Sequence, residues 1–160
     1  MPRYMSFALT TQQIRDSAKS VTRRLGWADL QPGELLWAVE KAQGLKKGEK
    51  VKRIRMIRVQ SVRREHLDAL LPGRRYSMHP SDAWIEVCRE GFPDMTPAGF
   101  VAMFCKANKC AADVMVNRIE FGYVELEKVP GGILSGANKA APAGYRGLTE
   151  TPKQEVRRLA

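Results

Sequence analysis

The sequence predicts an α+β fold built around a small barrel. Three observations lead there. Strand-like apolar runs stand at both ends of the apolar-rich region, at Tyr4 to Leu9 and at Val114 to Leu126. Two helix patterns lie between them. The long strand pattern from Val51 to Val62 breaks its own period of two, as strands do where a sheet bends to close. The composition suits such a domain: of 160 residues, 44% are hydrophobic and 28% charged, which excludes disorder and collagen-like classes. A chain of this length buries a core without disulfide or metal staples.

The elements follow in order. After the first strand, Thr10 or Thr11 is a candidate N-cap for a helix ending near Ala18. The stretch "KSVTRRLGWADLQPGE" reads as a polar, basic loop with a turn at Pro32-Gly33. Leu35 to Val39 is a short buried strand, and Gly44 and Gly48 flank a lysine-rich turn. In the long strand, Ile54 and Met56 share one face while Ile57 and Val59 take the other, so a bulge is expected near Met56–Ile57. Helices are predicted over Ser81 to Arg89, with Ser81 or Pro80 at its start, and Thr96 to Asn108. In the second, Thr96 is the N-cap and Pro97 the first helical residue. In the last strand Ile119, Phe121 and Tyr123 alternate on one face.

The folded unit is expected over residues 1–127. From 128 to 160 the chain reads as a flexible, mildly basic tail: eleven of the nineteen residues from Pro130 to Leu148 are Gly, Ala or Pro. Its last residues, Lys153 to Leu159, have the pattern of a helical turn formed on a partner.

Several functions are disfavoured. The longest apolar run, Phe100 to Cys105, is too short to span a bilayer, and the N-terminus offers no apolar signal core. Cys88, Cys105 and Cys110 form no CxxC pair, which suits a reducing cytoplasm. His66 and His79 lie at no zinc-ligand spacing from them, so neither metal nor other cofactor is expected. No G-x-S-x-G, P-loop or G-x-G-x-x-G occurs.

The charge is the strongest compositional signal: +10 overall, with a pI near 9.9. Nine basic residues and one acid, Glu49, lie between Lys46 and Arg64, and Arg15, Lys19, Arg23 and Arg24 form a second group. Lys52, Arg53, Arg55 and Arg58 either solvate the outer face of their strand or hold phosphates. Charge alone does not separate RNA from DNA. Trp37 and Trp84 read as core residues. Trp27, in a Gly-bounded polar loop, reads equally as core or as a platform for a base.

The segments "AKSVTRRLGW", "LQPGELLWAV", "REGFPDMTPAGFVAMFCKAN" and "VNRIEFGYVEL" together resemble ASCH-domain proteins of the PUA-like superfamily, bacterial and phage types above all, over about residues 5 to 126. The resemblance implies a PUA-like β-barrel with flanking helices and a cleft that recognises RNA or a nucleotide. Some members are hydrolases. In the amidohydrolase-like ones, which deacylate N4-acylated cytidine, a lysine, a threonine three residues on and a glutamate carry the chemistry. By motif these fall on Lys19, Thr22 and Glu90, although the spacing from Glu90 to Met95-Thr96 is one residue longer here. In such a scheme the lysine takes the proton of the threonine hydroxyl, and Arg23 and Arg24 help to depress its pKa. The glutamate protonates the leaving nitrogen or orients the lysine.

Plainer roles stand beside these: Lys19 closing a helix C-terminus, Thr22 in a turn, Glu90 on a surface arginine. The extra lysine-rich hairpin and the insertion "LLPGRRYSMHPSD" suit a polymer ligand better than a free nucleoside. Three expectations result. The first is a module for RNA, or for a modified nucleoside or nucleotide, with a basic face and a Lys19/Thr22/Glu90 cleft. The second is an amidohydrolase or ribonuclease working from that cleft. The third is a protein-interaction module with a vestigial pocket. Oligomeric state is not legible.

Overall fold

A computed structural model describes residues 1–126 and 136–137 and shows an α+β half-barrel. Five strands, β1 (Arg3–Ser6), β2 (Val21–Arg24), β3 (Leu35–Val39), β4 (Arg53–His66) and β5 (Met115–Tyr123), form one sheet in the order β1-β3-β4-β5-β2. β1 runs parallel to β3, and the other pairings are antiparallel. β1 and β2 are therefore the edges, and the seam between them is where the barrel stays open. Three helices accompany the sheet among the described residues: α1 (Thr11–Arg15), α2 (Pro80–Arg89) and α3 (Pro97–Asn108).

The expected bulge exists, but in two places that flank the predicted one. Register shifts fall between Ala38 and Val39 where β3 meets β4, and between Val59 and Ser61 where β4 meets β5. Each shift reverses the side-chain parity of β4. Ile54 and Val62 thereby pack on the same core as the odd-numbered Ile57 and Val59. This barrel core also holds Met5, Phe7, Leu36, Ile119 and Phe121. A second core, with Leu67, Leu70, Val87, Phe100, Phe104 and Val116, lies under α2 and α3.

Helix entry follows the sequence closely for α3, where Thr96 Oγ1 accepts from Gly99 N at 3.0 Å and Pro97 opens the helix. α2 starts at Pro80, with His79 as N-cap. α1 is shorter than expected and ends at Arg15. Thr10 makes no capping bond, and Thr11 Oγ1 instead donates to Phe7 O at 3.0 Å.

Two predictions are corrected. The segment read as a basic loop contains β2, whose four residues pair with Glu120 to Asn117 of β5. Val21 and Thr22 are β-branched and suit a strand, but two following arginines made so short a run look solvated. Trp84 is also corrected: it is 45% exposed on α2 rather than core. Trp37 is half-buried, with the Arg53 guanidinium 4.9 Å above its ring. Beyond β5, β6 (Glu125–Leu126) pairs with β7 (Gly136–Ala137), so two residues of the expected tail join a strand pair. The rest of that segment, including Lys153 to Leu159, lies outside the described residues. No helix among the described residues is long and apolar enough to cross a membrane.

Candidate functional site

α2 ends in a Schellman turn that builds half of the site. Glu90 is the C-cap, Gly91 N donates to Cys88 O at 2.9 Å, and Phe92 N donates to Val87 O at 3.1 Å. Gly91 adopts φ +93°, and a Cβ there would sit 3.1 Å from Gln13 Cγ, so the turn requires glycine twice over. The motif Glu-Gly-Phe is thus a helix stop that turns Glu90 and Phe92 inward together.

The other half comes from β2 and the residues before it. Lys19 is buried; its Nζ donates to Glu90 Oε2 at 2.8 Å and also to the Glu90 carbonyl. The second bond sets a cation on the exposed carbonyls of a helix end, favoured by the helix dipole. It is the C-terminus of α2, not of α1, that Lys19 closes. Tyr123, half-buried on β5, donates its hydroxyl to Lys19 O at 2.6 Å and so fixes the backbone there. Burial drives the Lys19 pKa below its ordinary value; Glu90 opposes this, and Arg24 and Arg23 add to it.

Lys19, Thr22, Arg23, Arg24 and Glu90 line one cleft of about 200 Å³, together with Ser6, Phe7, Phe92, Phe100, Met103, Phe104 and Asn108. The cleft lies at the β1/β2 seam, where the barrel core, through Phe7, meets the helical core, through Phe100 and Phe104. Thr22 pairs with Ile119 and Arg24 with Asn117, so both face the barrel side of β2. The three residues placed together by motif therefore do meet in space.

Arg23 takes the opposite face, against α2, and its side chain is fully buried. It binds Glu65 at 2.8 Å, Glu86 at 2.6 Å and Glu90 at 3.1 Å. All its guanidinium nitrogens are committed to carboxylates, so Arg23 is an internal anchor and not the surface phosphate contact expected of it. Directly across the ladder stands Arg118. Two like charges opposite one another would be destabilising, but Glu86 lies between them and also accepts from Arg118 Nε at 2.7 Å. Burial opposes ionisation of Glu86, yet hydrogen bonds from Arg118 and Arg23 hold its pKa down to about 2. Glu86 and Arg118 were not singled out from the sequence. The available signal was that Ala83, Glu86, Val87 and Glu90 share one helix face, which puts two acids on a buried stripe that demands cations.

The remaining basic candidates are spread out. Lys52 is 73% exposed and 3.8 Å from Glu40. Arg53 stacks on Tyr4 and Trp37 and donates to Tyr4 Oη. Arg55 lies over Tyr123 and pairs with Glu125 at 3.0 Å. Arg58 has no ion pair among the described residues and stands opposite Leu35 and Gly122. Trp27, at φ +73°, packs against the barrel core beneath Arg3, so it is part support and part surface. No cluster of metal-ligating side chains occurs among the described residues.

No family model matches the chain, and no curated protein matches it. Among solved structures it is similar to the crystal structure of an ASCH domain from Lactobacillus crispatus, at TM-score 0.47 and 15% identity, over 76% of this chain and 78% of that one.

Proposed function

We propose that the chain is an ASCH-type, PUA-like module that binds RNA or a nucleotide, inserting one base into the β1/β2 cleft. The observation that carries this reading is the convergence of Lys19, Thr22, Arg24 and Glu90 on a cleft walled by aromatic rings. Rings offer stacking surface to a base, and the polar groups offer donors and an acceptor to its edge. A volume of about 200 Å³ lies below the ~300 Å³ lower end of drug-sized sites, which suits one base and not a folded polymer. The polymer, where there is one, runs over the exposed lysine hairpin and the outer face of β4. This is a cytoplasmic role that uses neither metal nor cofactor.

The test is the binding of labelled single-stranded RNA by the full chain over a range of salt. Log affinity should fall by roughly 0.7 per log of salt for each phosphate held, and Lys52→Ala/Arg53→Ala/Arg58→Ala should flatten that slope. Lys19→Ala should weaken binding at every salt concentration. A salt-independent affinity, or none, would remove the proposal.

A second reading is favoured by the lowered pKa of Lys19 and its contact with Glu90: amide hydrolysis of an N4-acylated cytidine from the same cleft. Lys19 first passes a proton to Glu90, then accepts the proton of Thr22 Oγ1 as that oxygen attacks the acyl carbon, and Glu90 delivers its proton to the departing amine as the amide bond breaks. Water then releases the acyl group from Thr22. N4-acetylcytidine left intact by the wild-type chain would eliminate this reading, whereas conversion lost in Lys19→Ala and Thr22→Val would support it.

A further inference from the structure

Six cations and four carboxylates stand in and behind the cleft, from the fully buried Arg23 to the exposed Arg63, and the surplus charge is not evenly spread. Lys19 has Glu90; Arg23 has Glu65, Glu86 and Glu90; Arg118 has Glu86 and Glu120; Arg89 has Glu86 and Glu120; Arg63 has Glu65. Arg24 alone in this group bonds to no carboxylate. Its Nε donates to Thr22 Oγ1 at 3.2 Å and its Nη2 to Ser6 O, and the guanidinium carbon lies 5.2 Å from the Phe7 ring centroid.

Nη1 of Arg24 has no protein acceptor among the described residues. It is not sealed off either: among the described residues the fully buried side-chain nitrogen or oxygen that lacks a partner is Asn117 Oδ1, so Nη1 keeps contact with solvent. Nη1 therefore opens into the cleft that Arg24 lines. A guanidinium stays ionised in a protein, so this charge does not neutralise itself as burial becomes costly. Desolvating it without a counter-ion is unfavourable, and an anion at Nη1 relieves that cost. The planar fork, already oriented by two neutral acceptors, matches a phosphate oxygen.

We propose that the ligand of the cleft carries a phosphate group seated on Arg24 at the β1/β2 seam, making the site selective for a nucleoside monophosphate over the bare nucleoside. This rests on the base-binding reading above and adds to it the class of ligand. The base lies among Phe7, Phe92 and Phe104 near the Lys19–Glu90 pair, and the phosphate lies toward Ser6, at the edge of the sheet.

The test measures dissociation constants of the full chain for the four ribonucleosides, their 5′- and 3′-monophosphates, and inorganic phosphate. At least one monophosphate should bind roughly ten- to a hundredfold more tightly than its nucleoside, the range of a charge-assisted hydrogen bond. Arg24→Gln should erase that preference, so that monophosphate and nucleoside bind alike; Arg24→Lys should keep part of it. If Arg24→Gln fails to fold, Arg24→Lys and the salt dependence of the wild-type preference carry the test. Nucleosides and monophosphates binding equally, or a preference that survives in Arg24→Gln, would overturn the phosphate site and leave the base cleft standing. Phosphate bound through Arg24 with no nucleoside affinity would keep the anion site and remove the base. No binding of any of these ligands would remove both.

Discussion

Glu86 joins three arginines behind the cleft, more than any other carboxylate there, and Glu86→Gln is the perturbation that exposes its part. In the native chain Glu86 accepts from Arg23 at 2.6 Å, from Arg118 at 2.7 and 2.8 Å, and from Arg89 at 3.3 Å. Its pKa falls from an ordinary 4.5 to about 2. A lowered carboxylate contributes stability that is complete above its unfolded value and is lost as pH falls through the folded one, so the window runs from about pH 4.5 down to about pH 2. The magnitude is about 3 kcal/mol. At neutral pH, Glu86→Gln leaves Arg23 and Arg118 facing each other across the ladder. Its cost should be about 3–5 kcal/mol, as when one partner of a buried pair is removed.

Urea denaturation followed by circular dichroism, for wild type and variant from about pH 7 to about pH 2.5, measures both effects. The two stabilities should differ most at neutral pH and converge in acid. Parallel acid profiles would show that Glu86 is not held in its charged form by these arginines, and the account of the layer would fail. The variant also tests the route to function. Glu86 clamps α2 onto β2 and β5 one helical turn before Glu90, so its loss should weaken ligand binding in the cleft even under conditions where the chain stays folded.

Two further outcomes follow from the same geometry. Gly91→Ala should destabilise the chain by about 1–2 kcal/mol, because it adds a Cβ against Gln13 at a positive φ; thermal unfolding measures this, and an unchanged melting temperature would show that the Schellman turn does not constrain Glu90. Trp84→Ser should cost about 1–2 kcal/mol, since the residue is 45% exposed and only part of its apolar surface is covered. A core tryptophan would cost about 3–5 kcal/mol, so a large loss in the same denaturation assay would restore the core assignment made from the sequence.

The elements that were legible in the sequence are those whose signals are local. Thr96-Pro97 states the start of α3, Leu35 to Val39 is a strand at the bounds expected, and the alternation of Ile119, Phe121 and Tyr123 gives the inner face of β5. The illegible ones depend on partners distant in the chain. β2 looked like a loop because the partners that neutralise Arg23 lie 42 to 67 residues away, at Glu65, Glu86 and Glu90. Trp84 looked like core because hydrophobicity is a property of the side chain, while burial depends on which helix face the neighbours cover.

The candidate site divides along the same line. Lys19, Thr22 and Glu90 could be named together only through a motif resemblance; no spacing rule joins residues 71 positions apart. By itself the sequence determined an α+β architecture and an excess of positive charge. Which of those charges are spent inside the fold was decided by tertiary structure alone. Arg23 and Arg24 are adjacent, yet a strand sends neighbouring side chains to opposite faces. One meets three carboxylates under α2, and the other meets none and opens into the cleft.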